Sequence, residues 1–313
     1  MVIKAASTIS HQHTFRNPGF SRTVKPIDAQ TLLQSPEYSS MIPVMDRRRM
    51  SDVLKMGIAC TTDCLEQSGI GQPDAIIVGT GMGCSIHTKS FLDKMNSGEG
   101  GLISPTSFIL SLHNTIAGQI SIHQKNHCYN MTHTQNSLSF EYALIDSLMC
   151  LGEGAKNVLV GGTDEQTDSI YNIRGRLERE EAITASGASF FIVSEDEEDM
   201  LANVIDLKAI CLMKKGVADE VLTMLTENHM KPEEIDLVLH VTGDEDEMRS
   251  LFANSERVDY LEFSGTWMSS SAWAVAYAVD RLQTSGENKP LNNVLICNRL
   301  IKNNLGLILL SKS

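Results

Sequence analysis

From Met50 onward, apolar positions fall into alternating helical and strand-like rhythms. Met50, Val53, Leu54, Gly57, Ile58, Thr61 and Leu65 recur at i, i+3, i+4 and predict a helix that Gly69 ends. The apolar run 75–79 predicts a buried strand emptying into the glycine-rich loop 80–84, and α/β sheets place their sites at such strand ends. Ser104-Pro105-Thr106 opens a helix through Phe108, Leu112 and Ile116. A polar stretch, 126–136, precedes a helix over 137–151 with Asn136 or Ser137 as its cap and Glu141 in its first turn. Strands follow at 158–162 and 189–193, with the charged stretch 163–183 between them read as loop or surface helix.

The C-terminal part repeats the rhythm. It predicts helices over 217–228 and 272–282 and strands at 235–241, 258–263, 294–297 and 307–310. Residues 1–45, punctuated by Pro18, Pro26, Pro36 and Pro43, read as irregular. Alternating strands and helices imply a layered α/β fold with buried sheets. The shared strand–helix–strand order permits an internal duplication, although no residue-level repeat proves one.

Composition narrows the function classes. Of 313 residues, 42% are hydrophobic and 21% charged, an ordinary globular balance. A formal charge of −13 argues against a nucleic-acid partner, because phosphate binding needs a basic face. Seven cysteines without a CxxC pair, no secretory apolar segment near the start and no apolar run of membrane-spanning length point to the cytoplasm. His87, His123, His127 and His133 lack a ligand spacing, so no metal is expected. Cys60 and Cys64 read as small core residues, and His113 as a satisfied core histidine or a contact residue. The loop Gly79-Thr80-Gly81-Met82-Gly83 lacks the lysine of a phosphate-binding loop and reads as a structural turn. Arg47, Arg48 and Arg49 are either a solvated helix start or a contact for an acidic partner.

Three segments carry a resemblance. Thr132-His133-Thr134-Gln135-Asn136-Ser137-Leu138-Ser139, with the helix, Gly152-Glu153 and Val158 to Gly162 behind it, is similar to the nucleophile elbow of the β-ketoacyl synthases. Residues 235–244, with His240, are similar to the strand ending in that family's HGTGT motif, and 265–272 to its GHxxGAAG. "RRRMSDVLKMGIA", "GTGMGC", "SPTSFILSLHNTIAGQI" and "YNMTHTQNSLSFEYALIDSLM" resemble more narrowly the ketosynthase-like proteins of flexirubin and aryl-polyene clusters in Bacteroidetes. The resemblance implies a thiolase-like α-β-α-β-α fold with pseudo-duplicated halves, shortened relative to full ketosynthases. It suggests an N-terminal half over 1–195 and a shorter C-terminal half over 196–313.

A condensing enzyme needs a thiolate at a helix N-terminus and two histidines that stabilise the enolate left by decarboxylation. On the family register the nucleophile position falls on Gln135, seventeen residues before Gly152, where an amide in a buried pocket can hydrogen-bond but cannot form a thioester. His240 matches the first family histidine and Thr266 stands at the second, while the glycine-rich gate gives way to residues 298–303. Met82, Met131 and His113 are the candidate substrate-binding residues. The resemblance then implies a chain-length-factor-like subunit that pairs with an active ketosynthase, or self-pairs in isolation. It would hold no cofactor beyond the phosphopantetheine arm of an acyl carrier protein. The alternative is an active malonyl-carrier decarboxylase or acyltransferase using Gln135 and His240.

Overall fold

The computed structural model describes residues 1–97, 104–167, 183–241, 245–286 and 290–312. Its strands are β1 (Val2–Ile9), β2 (Ala75–Gly79), β3 (Tyr129–His133), β4 (Asn157–Asp164), β5 (Gly187–Ser194), β6 (Ala202–Ile210), β7 (Leu237–His240), β8 (Glu256–Asp259), β9 (Asn293–Asn298) and β10 (Leu305–Ser311). The helices are α1 (Val44–Arg47), α2 (Asp52–Ser68), α3 (Ser85–Asn96), α4 (Pro105–Leu110), α5 (Thr115–Gln124), α6 (Ser139–Gly152), α7 (Val217–Glu227), α8 (Glu245–Leu251), α9 (Leu261–Ser264) and α10 (Ser271–Thr284).

The strands follow the order β3-β2-β4-β5-β1-β6-β10-β9-β7-β8. Read outward from its middle, that order repeats: β1, β5, β4, β2, β3 on one side correspond to β6, β10, β9, β7, β8 on the other. The senses repeat as well. β2 lies parallel to β3 and β4 as β7 does to β8 and β9, and β5 and β10 each run antiparallel to both neighbours. Only Val2↔Asn203 and Ile3↔Ala202 join the halves through β1 and β6.

Alternation along each strand sorts the core into layers. Ile76 and Val78 of β2 face α2 and α5, in a cluster with Leu54, Ile58, Ile116 and Ile120. Ala75 and Ile77 face the opposite way, onto Phe140, Ala143 and Leu144 of α6. The same central cluster takes Trp273 and Ala276 of α10 together with Leu237, Leu239 and Ile296 of the second half. Val221, Met224 and Leu225 of α7 cover the outer face, against Val238, Leu295 and Leu307. The result is the α-β-α-β-α thiolase-like arrangement, with α6 and α10 as the shared middle layer. Each large aliphatic or aromatic side chain taken fully into these layers contributes roughly 1.5–3 kcal/mol.

Several elements differ from the sequence expectation. Residues 2–9 are not irregular: β1 is a central strand, buried on both faces, and small Ala5, Ala6, Ser7 and Thr8 replace the usual apolar run. Thr8 is tolerated there because its hydroxyl reaches Ala188 O (3.2 Å) and Ser189 Oγ (2.7 Å). The polar stretch 126–136 contains β3, an edge strand whose side chains need not be apolar. The helix expected from 104 through 116 breaks at 111–114 into α4 and α5. The strand expected at 258–263 starts two residues earlier, stops at Asp259 and gives way to α9. α3 and β6 had no counterpart in the periodicity reading. Most of 163–183 lies outside the described residues. Among the described residues, no helix is long and apolar enough to cross a membrane.

Candidate functional site

Where β3 ends, the chain turns sharply into α6. Asn136 takes the left-handed conformation (φ 51°), which asparagine tolerates better than most residues, and a short 3₁₀ turn over Asn136–Leu138 leads into the helix. Neither Asn136 nor Ser137 caps α6; its N-cap is Leu138. The turn is fastened by Ser139 instead: the Gln135 backbone N–H donates to Ser139 Oγ (2.9 Å), which donates to Asn136 O (2.7 Å). Gly79, at the end of β2, permits this close approach, since a Cβ there would lie 2.5 Å from Ser139 O.

Gln135 itself is exposed, not held in a buried pocket. Its neighbour points the backbone inward, so that a Cβ on Gly81 would lie 3.2 Å from Asn136 O and collide with Met268. The glycine loop after β2, the elbow and the 265–268 segment therefore meet at one place. His240 closes β7 and is buried, with Nδ1 3.3 Å from Val241 O. Thr266 is buried against Thr184, its N–H donating to Ile183 O (2.7 Å) and its O accepting from Ala185 N (3.1 Å). Among the described residues, no hydrogen bond joins Gln135, His240 and Thr266.

Thr266 and Met82 line one small cavity with Asp164, Thr184, Trp267 and Met268. The Thr184 hydroxyl and the Trp267 indole N–H that line it are buried without partners. Met131 lies elsewhere, exposed on β3. His113 is not a core histidine: it sits exposed in the turn between α4 and α5, with its ring over Gly83, where a Cβ would come within 2.7 Å. The loop before α5 projects it outward, because Leu112 to Asn114 are not part of a packed helix. Cys60 and Cys64 are buried core residues, as their helical spacing suggests, and burial raises both thiols.

Besides Glu165, which lines the same cavity and accepts from Val53 N and Ile86 N, two buried carboxylates organise this region, and sequence reasoning missed the first. Asp164, at the end of β4, accepts at Oδ1 from Thr80 Oγ1 (2.9 Å), Gly81 N (2.9 Å) and Met82 N (2.8 Å), and at Oδ2 from Ser269 N (2.9 Å) and Ser269 Oγ (2.6 Å). It ties the first-half loop to the second-half segment. Burial pushes its pKa up, and the donors pull it back. The second, Glu141, lies in the first turn of α6, where Oε1 accepts from Asn298 Nδ2 (2.7 Å). The same amide donates to Ser137 O (2.7 Å). Burial raises Glu141 to about 7, against Asn298, the residue's own backbone and Ser271, which favour the charge.

A thiol is absent from the elbow sequence, and neighbouring cysteines do not replace it. Cys150 sits at the far end of α6, and burial together with Asp146 and Glu153 raises its pKa, which disfavours thiolate. Among the described residues, no cluster of histidine, cysteine and carboxylate side chains could hold a metal.

Residues 25–249 match the family model for the beta-ketoacyl synthase N-terminal domain. The chain belongs to the β-ketoacyl synthase family. No curated protein matches the sequence. Among solved structures, the ketosynthase fold is similar to the ishigamide ketosynthase/chain length factor, with a TM-score of 0.81 and 14% identity over 99% of both chains. It is also similar to AntDE:AntF, a type II polyketide synthase carrier protein in complex with its ketosynthase bound to the hexaketide (TM-score 0.79, 14% identity, 100% and 99% of the chains). A shorter match, over 68% of this chain and 85% of the other, is to the ketosynthase ApeO in complex with its chain length factor ApeC from Xenorhabdus doucetiae (TM-score 0.54, 18% identity). At these identities the likeness establishes the ketosynthase fold, and the chemistry has to be argued from the residues above.

Proposed function

We propose that this ketosynthase-family chain is a catalytically degenerate, chain-length-factor-like subunit that pairs with an active β-ketoacyl-carrier synthase in the cytoplasm. In that pair it helps shape elongation of an acyl or polyene chain of the aryl-polyene or flexirubin type. The observation that carries the reading is the elbow, where Gln135 and Asn136 stand with no sulfur nucleophile. Thr266, which cannot act as an imidazole base, stands at the second histidine position. The substrate arm would be phosphopantetheine on a carrier protein, with no resident cofactor.

Pairing is supported by the edge of the sheet. β3 is the terminal strand of the first half, and an edge strand offers unpaired backbone groups to a partner. On β3 itself and on the two helices that contact it, Ile122, Tyr129, Met131, Leu148 and Met149 are exposed large hydrophobic side chains. Tyr129 and His133 on β3 are pinned to Asp146 of α6, by Tyr129 OH (3.2 Å to each carboxylate oxygen) and His133 Nε2 (2.8 Å). The edge is thus held in shape before any partner arrives. The decarboxylase alternative has weaker support, because Gln135 faces solvent while His240 is buried with its ring against the Val241 carbonyl.

Co-expression with an active ketosynthase from the same genome tests the proposal. A stable heterodimer is expected, lost on Met131→Asp combined with Met149→Asp while the single chain stays folded. The pair should elongate acyl chains, and this chain alone should neither condense nor decarboxylate malonyl-carrier. Full elongation by the ketosynthase without this chain, or decarboxylation by this chain alone, overturns it.

A further inference from the structure

The segment that leaves β1 is fastened on two sides through one imidazole. His11, partly buried just beyond the end of that strand, meets the Thr31 carbonyl at Nδ1 (2.7 Å) and the Ser186 backbone N–H at Nε2 (3.3 Å). A backbone N–H can only donate, so Nε2 is the bare nitrogen and Nδ1 carries the hydrogen that Thr31 O accepts. The ring is therefore neutral, in one defined tautomer, with both nitrogens spent on segments remote from each other in sequence.

The two segments lead to different places. Thr31 belongs to the loop 28–34, where its own N–H donates to Asp28 O (3.1 Å) and Gln34 N donates to Ser10 O (2.9 Å). Ser186 belongs to the wall of the small cavity beside Thr266. Its Oγ accepts from Gln166 N (2.9 Å), and the preceding Ala185 N donates to Thr266 O (3.1 Å). Gln166, Thr184, Ala185 and Thr266 all line that cavity. Charged groups on the surrounding segments are engaged elsewhere or exposed. Asp28 takes the Thr31 hydroxyl (2.7 Å) and Gln30 N (3.0 Å), and Arg16 is paired with Asp63 and Glu66. Asp164 and Glu165 accept from the donors already named, while His13, Lys25 and Glu262 are exposed. Among the described residues, no carboxylate hydrogen-bonds the ring.

We propose that His11 is a proton-sensitive strut, which in its neutral form ties the cavity wall at Ser186 to the body and on protonation releases it. The proton comes from solvent and adds to Nε2, which then sets donor against donor at the Ser186 N–H, so that bond is lost. Nδ1 keeps its hydrogen, and its bond to Thr31 O becomes charge-assisted. Release is therefore one-sided: the wall at 184–186 loosens, whereas the loop 28–34 stays with His11. Burial, opposed by the Thr31 carbonyl, holds the imidazole below its ordinary range, which puts release on the acid side of about 6.5. It needs no partner subunit.

Two measurements on the full chain test this. Histidine ring ¹⁵N spectra, with His11 assigned by its loss in His11→Gln, should show the Nδ1–H tautomer at pH 7.5; the Nε2–H tautomer overturns the proposal. Hydrogen–deuterium exchange, corrected for intrinsic rates, is then followed from pH 7.5 to 4.5. The amides of Gln166 and Ser186 should lose protection by about tenfold or more, while those of Thr31, Gln34 and strands β2 and β9 hold. His11→Gln, whose amide can still accept from Ser186 but takes up no proton, should keep Gln166 and Ser186 protected throughout. Unchanged protection of these two amides in the wild type overturns the proposal without recourse to any variant. So does a His11→Gln protein that retains the wild-type loss, or a wild type in which Thr31 and Ser186 loosen together.

Discussion

Glu141 shows how one side chain couples sequence to stability. In the fold its carboxyl sits at about 7 rather than 4.5, chiefly through burial, so the folded state binds the proton more tightly than the unfolded chain. The sign follows: stability is greatest at low pH and declines as pH rises through about 7. Raising pH from 5 to 8 should cost about 3 kcal/mol from this group at the pKa conversion of ~1.4 kcal/mol per unit. Asp164 and Glu165 are raised as well and act in the same direction, so Glu141→Gln should flatten the profile without abolishing it. Denaturant melts across that range check this, and an unchanged slope in the variant counts against the assignment. At the elbow, the proposed register predicts that Gln135→Cys yields no condensing activity in a radiolabelled malonyl assay, because Thr266 at the second histidine position would supply no imidazole. Turnover by that variant would refute the degenerate reading.

At the scale of elements, one contact holds the halves in register and another seats α6 on β2. Asp164 alone receives five hydrogen bonds from the loop after β2 and from the residue two before α10. Asp164→Asn presents an NH₂ to groups that are themselves donors, leaving at least one buried N–H or O–H orphaned. We expect a loss of roughly 2–4 kcal/mol, read as a lower urea midpoint. Gly79→Ala acts on the contact between β2 and α6. Its new methyl would press on the Ser139 carbonyl, which is backbone and cannot swing aside, so α6 must shift. A destabilisation of roughly 1–3 kcal/mol is expected, with partner affinity reduced through the displaced elbow.

For the whole molecule, the proposed pairing makes charge the property that decides which subunit would meet a carrier protein. The chain carries −13, with Arg48 and Arg49 exposed beside Asp46 and Arg47 paired with Glu37 (3.3 Å). Acyl carrier proteins are acidic, so the net field opposes their approach and the active partner should supply most of the docking surface. Calorimetry of carrier protein against the isolated chain should show no low-micromolar binding, and binding should appear with the assembled pair. Low-micromolar affinity for the single chain contradicts this assignment.

The alternation of apolar runs by itself determined the class of fold, because a strand buried on both faces must be continuously apolar and an amphipathic helix must repeat every 3.6 residues. That covers β2, β4, β5, β9, β10, α2, α6, α7 and α10. It also determined that the turn into α6 begins at an amide, Gln135, since residue identity is a property of sequence. Tertiary structure decided the rest. β1 is a central strand although small and hydroxylated, because its neighbours satisfy Thr8; β3 is a strand although polar, because β2 pairs with it and its outer edge is open. His113 faces outward because the chain turns at 111–114, a break with no glycine or proline to announce it. Nothing local marks Asp164 as the clamp or Glu141 as a carboxyl raised by burial. Both roles arise from long-range packing, as residues more than a hundred apart in sequence are brought to one buried oxygen.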